Sequence, residues 1–488
     1  MAHVNLRELA FQMRSDELRK YGSGVLERDP SRIASAELLD LMAYLVECDF
    51  VGAEAKLATI KYKFTDSKER VYVNEGTSLA KAHIDFAFGR FQAMEEAANY
   101  FLHNHESIPD VEEGEFLDIM RLKAQKFMIM DEIQELEKLE NEVLKYEVAE
   151  ASTNALYLIN SVRAMLLNSK GEYFKALEIA NQNCVIAKQN GYKGLMAPLD
   201  SMYVIACCKL SFGRTKEAID DFKELMELAS ELNQWPWYFI AEGYVARDYA
   251  HSNKMSEALA IVREERAKLA TFSFRHELSF IPDINELYVR FIIRDVDRME
   301  VLLNRVPPLI MVRNLKAALD EWQGKDSLKY IEDLPERNPR EKVFKLVSLS
   351  EYYKDKESVA VDYMLQALKL VESSGSIEFI LRQHELVDVV LKAISKEPTV
   401  FLEDLASQMT ERINLNNYKN QEGMPVPLTN RELEVVRHLS TGKPISAISN
   451  VLHVSMNTMK THLRNIYRKL DVDGRERAVQ KAKDLYLI

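Results

Sequence analysis

A short basic stretch near the end of the chain has the residue types that bind anions. Residues 455–470, SMNTMKTHLRNIYRKL, contain four Lys and Arg side chains and no acidic residue. Residues 421–488 hold 11 Lys and Arg against 7 Asp and Glu, whereas residues 1–420 hold 53 against 69. Salt screens exposed charges beyond roughly 10 Å, so a basic segment can approach a polyanion although the chain has a formal charge of −12. The net charge therefore does not exclude a nucleic acid as a partner.

The stretch has the spacing of a helix with one apolar face and one basic face. Apolar residues recur at intervals of 4, 3 and 4, which predicts a buried stripe of Met459, Leu463, Ile466 and Leu470. The opposite face carries Asn457, Lys460, Thr461, Arg464 and Arg468. Lys and Arg suit the O6 and N7 atoms of guanine, so this face predicts contact with base edges. For any one of these residues alone, the alternative is a solvated helix face.

Two shorter helices are predicted before this one. Thr429 and Glu432 have the spacing of a capping box that begins a first helix, and Gly442 ends it. A second helix spans about residues 445–452, and Ser455 caps the third. The predicted inward residues of the first two helices are Leu433, Val436, Leu439, Ile445, Ile448 and Leu452. Helix-turn-helix proteins enter the major groove with two helices joined in this way, the second one presenting a basic outer face.

The tail resembles the LuxR/FixJ-type four-helix DNA-binding domain. The matching positions are Leu428, Thr429, Arg431, Glu432, Glu434, Val435, Gly442, Ile448, Leu452, Ser455, Thr458, Lys460, His462, Leu463, Ile466, Lys469, Leu470, Val472, Arg475 and Ala478. The resemblance implies that Lys460, Thr461 and Arg464 read bases. It also implies that Asn457, Thr458, Arg468 and Lys469 contact the phosphate backbone, which fixes the register on DNA without reading sequence. The last helix, RERAVQKAKDLYL, is implied to contribute to dimerisation.

The body of the chain contains a long, regular repeat. In GEYFKALEIA and GRTKEAIDDF, a glycine precedes a small marker residue by five positions. Equivalent small or apolar markers recur every 40 to 42 residues, at Ala53, Met94, Leu136, Ala176, Ala218, Ala258 and Met299. A small marker lets two helices approach, and the glycine permits the turn between them. We therefore predict one antiparallel helix pair per unit, with a further unit around Ala360.

Stacked helix pairs bury their apolar faces against each other and form a solenoid with a concave face. The pattern resembles tetratricopeptide repeats with longer units, and it is similar to the helical-repeat sensor region of maltose-activator-like regulators. The resemblance implies a body that receives a signal. No G-x-x-x-x-G-K-[ST] loop occurs, so the nucleotide-binding domain that such regulators usually carry is not expected.

An aromatic cluster in the body is a candidate effector pocket. Trp235, Trp237 and Tyr238 lie within QWPWYFIAEGY, and such side chains provide large binding surfaces with few rotamers to fix. The alternative is a core at a repeat junction, with Pro236 in the first helical turn. The segment FSFRHELSF, which includes Phe272 and Phe274, allows the same two interpretations.

The composition favours helix and offers no catalytic set. Only 16 Gly and 13 Pro occur in 488 residues, and no nucleophile, base or metal-ligand cluster is recognisable. We therefore expect no enzyme activity, no cofactor and no metal. The four cysteines have no metal-ligand or paired spacing, and no apolar run reaches the length of a membrane span, so a cytoplasmic protein without membrane contact is expected. The family resemblance implies a bacterial protein.

These observations predict an all-α protein: a tetratricopeptide-like helical-hairpin solenoid at residues 1–413, a linker at 414–427 and a four-helix helix-turn-helix domain at 428–488. The predicted function is a sequence-specific DNA-binding transcription regulator, more an activator than a repressor, whose body receives a small-molecule, peptide or protein signal. The expected partners are an inverted-repeat site in double-stranded DNA, RNA polymerase and a second copy of the chain. The alternative is an interaction scaffold whose C-terminal domain serves oligomerisation.

Overall fold

The computed structural model describes residues 15–29, 31–68, 70–104, 113–146, 152–252, 254–421, 428, 430–452, 454, 456–470 and 472–484. Helices dominate these ranges, which contain no strand, and none of their helices is long and apolar enough to cross a membrane. The first thirteen helices are α1 (Ser15–Arg28), α2 (Ile33–Val46), α3 (Phe50–Lys63), α4 (Arg70–Ala87), α5 (Phe91–Asn104), α6 (Glu113–Ile129), α7 (Ile133–Val143), α8 (Thr153–Lys170), α9 (Tyr173–Asn190), α10 (Leu199–Ser211), α11 (Thr215–Glu231), α12 (Trp235–His251) and α13 (Met255–Ala270).

The remaining helices complete the body and form the C-terminal domain. Those of the body are α14 (Arg275–Leu278), α15 (Phe280–Ile292), α16 (Val296–Leu303), α17 (Ile310–Trp322), α18 (Leu328–Glu332), α19 (Pro339–Tyr352), α20 (Glu357–Ser374), α21 (Glu378–Leu381), α22 (Val387–Lys396) and α23 (Val400–Gln421). Those of the C-terminal domain are α24 (Asn430–Ser440), α25 (Ile445–Val451), α26 (Met456–Leu470) and α27 (Arg475–Asp484). The predicted all-α fold is confirmed.

The marker residues define the repeat in three dimensions. Each is the fourth residue of the second helix of a pair, and each is fully buried: Ala53, Met94, Leu136, Ala176, Ala218, Ala258, Met299 and Ala360. The corresponding second helices are α3, α5, α7, α9, α11, α13, α16 and α20. Since a residue at this position faces the preceding helix, its small or flexible side chain sets how closely the two helices pack. The predicted helix pairs are confirmed, including the unit around Ala360.

A left-handed residue lies five positions before most markers. The φ angles are 55° at Cys48, 71° at Gly89, 57° at Asp131, 84° at Gly171, 74° at Gly213 and 56° at Arg294. Glycine adopts this conformation without a steric cost, and other residues adopt it only where the surrounding structure holds them. The turn geometry is therefore shared by units that have no glycine in their sequence.

Two features of the body depart from the regular pattern. Between Met299 and Ala360, the helices α17 and α18 are inserted, which explains why the period is lost there. The last body helix, α23, continues to Gln421, so the linker predicted to begin at 414 is helical over its first part. Asparagine, which is frequent in this segment, is tolerated at a helix end at a modest cost in propensity. Residues 422–427 lie outside the described ranges.

Candidate nucleic-acid interface and body cavity

The four C-terminal helices pack around a small apolar core of their own. Its buried members are Val435, Val436, Leu439, Ile448, Leu452, Met459, Leu463, Ile466, Leu470, Ala478 and Ala482. Most of the predicted inward residues are among them, but Val435 is buried where Leu433 was expected, and Leu433 is half-buried. Thr429 and Ser455, the two predicted caps, lie outside the described residues. Gly442 ends α24 with a φ of 75°, as its position predicts.

Helix α26 has the two faces that its sequence predicts. The stripe of Met459, Leu463, Ile466 and Leu470 is buried against the other helices of this domain. The residues predicted to contact DNA that are exposed are Thr458, Lys460, Thr461, Arg464 and Arg468. The backbone of Asn457 lies in the first turn of the helix, and its side chain is outside the described part of the structure. The basic face is thus held outward by the burial of the opposite face.

Lys469 does not share this exposed position. Its ammonium group lies 2.7 Å from the carboxylate of Glu432 on α24, and the two side chains are only 12% and 4% exposed. A buried carboxylate requires such a partner because leaving it without one costs several kcal/mol. The structure therefore assigns Lys469 to joining α24 and α26, in place of the phosphate contact that the resemblance implied.

Two arginines hold the short helices in place, and the spacing pattern gave no role to either. Arg475 donates hydrogen bonds to the backbone oxygens of Leu439 at 2.6 Å and Lys443 at 2.7 Å. These bonds satisfy carbonyl groups at and just beyond the C-terminus of α24, which the helix itself leaves without partners. Arg431 likewise donates to the backbone oxygen of Leu452 at the end of α25. Both arginines occupy positions of the resemblance, and the structure shows a positioning role for them.

The body contains a half-open cavity of about 650 Å³. Most of its wall comes from the first helices of the pairs, α6, α8, α10, α12, α15 and α19, together with the inserted helix α17. This volume lies within the range of sites that bind drug-sized molecules. Apolar and aromatic side chains dominate the wall, including Ile240, Ile284, Tyr244, Tyr288 and Phe344.

The predicted effector residues lie elsewhere. Trp235, Trp237 and Tyr238 are not part of the cavity wall. Trp237 is 1% exposed, and Trp235 packs on Phe272 with ring centroids 4.6 Å apart. Pro236 lies in the first turn of α12. The alternative interpretation, a core at a repeat junction, fits Trp237, which belongs to the apolar core, while Trp235 and Tyr238 are half-buried and pack against that core.

The buried stripe and the exposed basic face of α26 are the geometry of a recognition helix, and residues 426–482 match the family of bacterial regulatory proteins of the luxR type. The C-terminal domain is a LuxR-family DNA-binding domain. The response regulator protein VraR of Staphylococcus epidermidis is 28% identical over 174 residues, which are 36% of this chain and 72% of that protein. The HTH-type transcriptional regulator MalT of Klebsiella pneumoniae is 28% identical over 218 residues, which cover 39% of this chain and 22% of that protein. The chain is a transcription regulator with a LuxR-type reader and a helical body.

Two solved structures are similar to the chain over most of their length. The complex of NprR with its cognate peptide NprX has 13% identity and a TM-score of 0.42, covering 69% of this chain and 98% of that chain. A Rap protein complexed with competence and sporulation factor has 12% identity and a TM-score of 0.35, covering 79% and 98%. These scores are low, so the architecture of the body rests on its own helices.

The LuxR-type domain contacts the body through Arg437 of α24. The guanidinium of Arg437 lies 2.7 Å from Asp297 and 3.4 Å from Asp295 at the start of α16. Asp295 also caps α16 by accepting a hydrogen bond from a backbone N–H. In this arrangement Lys460 and Arg464 remain exposed. The contact therefore leaves the basic face of the LuxR-type domain open.

Proposed function

We propose that the chain reads an inverted-repeat promoter site through Lys460, Thr461 and Arg464, with Asn457, Thr458 and Arg468 at the phosphates. The observation that carries the proposal is the exposed basic face of α26, which the buried stripe fixes outward. Each bidentate contact to a base contributes about 1–3 kcal/mol of discrimination, and phosphate contacts make the affinity fall with salt. Lys469 is left out of this set because it is tied to Glu432.

Pairing of two chains supports sequence-specific binding. One small DNA-binding domain contacts few base pairs. Two such domains related by a two-fold axis bind half-sites that lie about one turn of DNA, or a multiple of it, apart. Helix α27 is the element that the family resemblance assigns to dimerisation. Activation of transcription with RNA polymerase follows from the same resemblance, as does a cytoplasmic location.

The body receives the signal in its cavity. A volume of about 650 Å³ with an apolar and aromatic wall suits a small molecule or the end of a peptide. Seven helices from successive units contribute to the wall, so a ligand there contacts the repeat array over much of its length. Occupation of the cavity would favour one curvature of the solenoid over another, since a ligand shifts an equilibrium by its difference in affinity for the two states.

DNA recognition by the LuxR-type domain is tested by footprinting and gel-shift titration of the full chain on genomic DNA. We expect protection of paired half-sites, and we expect Lys460→Ala and Arg464→Ala each to weaken specific binding by roughly 5- to 150-fold. Lys392→Ala removes the same charge from an exposed site of the body and should leave binding unchanged. Sedimentation of the variants separates DNA reading from assembly: lost binding with unchanged mass excludes the scaffold alternative. Equal affinity of Lys460→Ala and the wild type for every protected site would refute the proposal.

The cavity is tested with a promoter reporter. Ala318 lines the cavity, so Ala318→Trp should fill part of it and make promoter output insensitive to growth conditions that change the wild-type output. Ala55→Trp, on an exposed position of α3, is the matched control and should respond like the wild type. DNA binding in vitro should be preserved in both. A normal response of Ala318→Trp would contradict a signal received in the cavity.

A further inference from the structure

The geometry points to a carboxylate-bearing ligand with an apolar body as the occupant of the cavity, bound through the guanidinium of Arg247. This inference rests on the proposed function, because it names the chemistry of the signal that the body receives. Arg247 lies on α12 and lines the cavity wall. It is one of four arginines there, and its surroundings differ from those of the other three.

The other three arginines have acidic partners. These pairs are Arg294 with Glu385, Arg340 with Asp131 at 3.5 Å, and Arg382 with Glu378 at 2.7 Å. Arg247 forms no ion pair with any carboxylate among the described residues. Glu265, a carboxyl whose field acts on Arg247, instead accepts a 2.6 Å hydrogen bond from Asn285, and burial raises its pKa well above its usual range. Among the described residues, Arg247 is thus the arginine of the wall that has no carboxylate partner.

The guanidinium of Arg247 is nevertheless held in a fixed position. It lies over the rings of Tyr244 and Tyr288, 4.6 Å and 4.1 Å from their centroids, and donates a hydrogen bond of 3.3 Å to the side-chain oxygen of Asn285. Asn285 is itself fixed by a 2.8 Å hydrogen bond to the backbone oxygen of Phe239. The buried Nε of Arg247 has no acceptor within the described residues. A carboxylate at the guanidinium would supply the missing negative partner, and a small movement of the side chain would bring Nε within reach of it.

A second polar group in the wall is also without partners. Both amide atoms of Asn314, on α17, are buried and have no hydrogen-bond partner in the part of the chain that the structure describes. A buried amide without partners is costly, and a ligand that offers an acceptor or a donor removes this cost. Asn314 and Arg247 lie on different helices, α17 and α12, that line the same cavity.

The apolar side chains of the wall indicate what kind of molecule carries the carboxylate. Its apolar members include Ile240, Ile281, Ile284, Met311, Leu315 and Phe344. One uncompensated arginine matches a single negative charge, so a monoanionic carboxylate fits better than a phosphate dianion. Two sources share this chemistry: a small aryl or alkyl carboxylic acid, and the C-terminus of a short apolar peptide.

Binding is tested on the full chain by saturation-transfer NMR with two matched pairs of probes. One pair is 3-phenylpropionate and 3-phenylpropionamide, and the other is the peptide Leu-Phe-Leu with a free or an amidated C-terminus. We expect at least one acid to bind about tenfold or more tightly than its amide, since a charged hydrogen bond is lost in the amide. The pair that shows the preference identifies the source. Absence of an acid preference in both pairs overturns the inference.

Variants assign the preference to the site. Arg247→Gln should abolish the acid preference, Arg247→Lys should retain part of it, and Arg305→Gln, at an exposed position outside the cavity, should retain all of it. Asn314→Leu removes the buried amide, should not destabilise the chain, and should weaken acid binding about tenfold. It keeps the test decisive if Arg247→Gln fails to fold, which a thermal melt would show. An acid preference that survives in a folded Arg247→Gln overturns the inference, and if that variant does not fold, acid binding by Asn314→Leu as tight as that of the wild type overturns it.

Failure of this inference and failure of the proposed function give different results. If Ala318→Trp makes promoter output constant while the acid and amide probes bind equally, the body is a sensor of a different ligand class. If the acid preference depends on Arg247 while Ala318→Trp responds normally, the anion site exists and the proposed signalling role of the cavity is wrong.

Discussion

Replacement of Lys469 by alanine separates a structural role from a DNA-contacting one. The Lys469 and Glu432 side chains are 12% and 4% exposed and lie 2.7 Å apart, so Lys469→Ala leaves a buried carboxylate without its cation. Breaking a buried pair in this way costs about 3–5 kcal/mol, and the lower end applies because truncation of the lysine admits water. We expect a loss of about 3 kcal/mol, which is roughly a 150-fold change in the local opening equilibrium of the domain.

The assay is hydrogen–deuterium exchange of the full chain, followed in peptides from α24 and α26. Arg468→Ala is the matched control, because Arg468 is the exposed neighbour in sequence. It should leave exchange unchanged and weaken DNA binding, with a salt dependence reduced by about one phosphate contact. Glu432→Leu combined with Lys469→Met should restore protection, since an apolar pair replaces the ionic one. Wild-type exchange in Lys469→Ala, together with a reduced salt slope, would refute the structural role.

Three further predictions concern backbone, pH and salt. Gly171→Ala should destabilise the body more than Gly191→Ala in thermal melts. Both glycines have positive φ, so alanine brings a backbone strain of about 1–2 kcal/mol at either site. A Cβ at 171 would in addition lie 3.1 Å from the backbone of Arg340, whereas nothing lies within 4 Å of a Cβ at 191. Burial raises the pKa of Glu242 from 4.5 to about 7, so the folded state binds the extra proton between these values and the free energy of unfolding should fall as pH rises through them. Glu242→Gln should remove this slope and raise stability at pH 8 by up to about 3 kcal/mol, and an unchanged slope in urea titrations would contradict the assignment. Specific DNA binding should weaken steeply with salt, and Lys460→Ala should lower specificity at one base position rather than uniformly.

The repeat could be predicted from sequence because one position in each unit accepts only a small or flexible apolar side chain. The marker faces a neighbouring helix at close range, which restricts it to small or flexible apolar residues such as Ala176 and Met94. The turn before it was visible only where glycine occurs, as at Gly171. Cys48 and Arg294 adopt the same left-handed conformation, and no property of their sequence indicates this, since the surrounding packing imposes it.

The sequence predicted which side of α26 each residue faces, but it did not predict all the contacts of these residues. Periodicity alone places Met459 and Leu463 inward and Arg464 outward, because residues four positions apart lie on the same face of a helix. The pairing of Lys469 with Glu432 required the third dimension, since the two residues are 37 positions apart and each has a plausible role in isolation. A family position gives the location of a side chain, whereas burial of its partner decides what the side chain does.

The cavity was the least predictable feature. The cluster of aromatic residues in the sequence indicated a site at the start of α12, where Trp237 belongs to the core and Trp235 packs against it. The wall is instead assembled from side chains of helices that are far apart in sequence, which leaves no local signature. Arg247 is typical: it is a single arginine in a helix, and only the absence of a carboxylate partner in the described structure sets it apart.

The constant five-residue interval between the left-handed turn and the marker has a consequence for how the chain tolerates changes in length. One residue inserted within this interval would rotate the second helix by about 100° and turn its apolar face away from its partner. The units nevertheless differ by one or two residues in length, so this variation is accommodated elsewhere, in the lengths of the helices and in the connections between pairs. Those connections, such as the one between α9 and α10, are therefore the points where whole units can be deleted, duplicated or exchanged without disturbing the register of their neighbours.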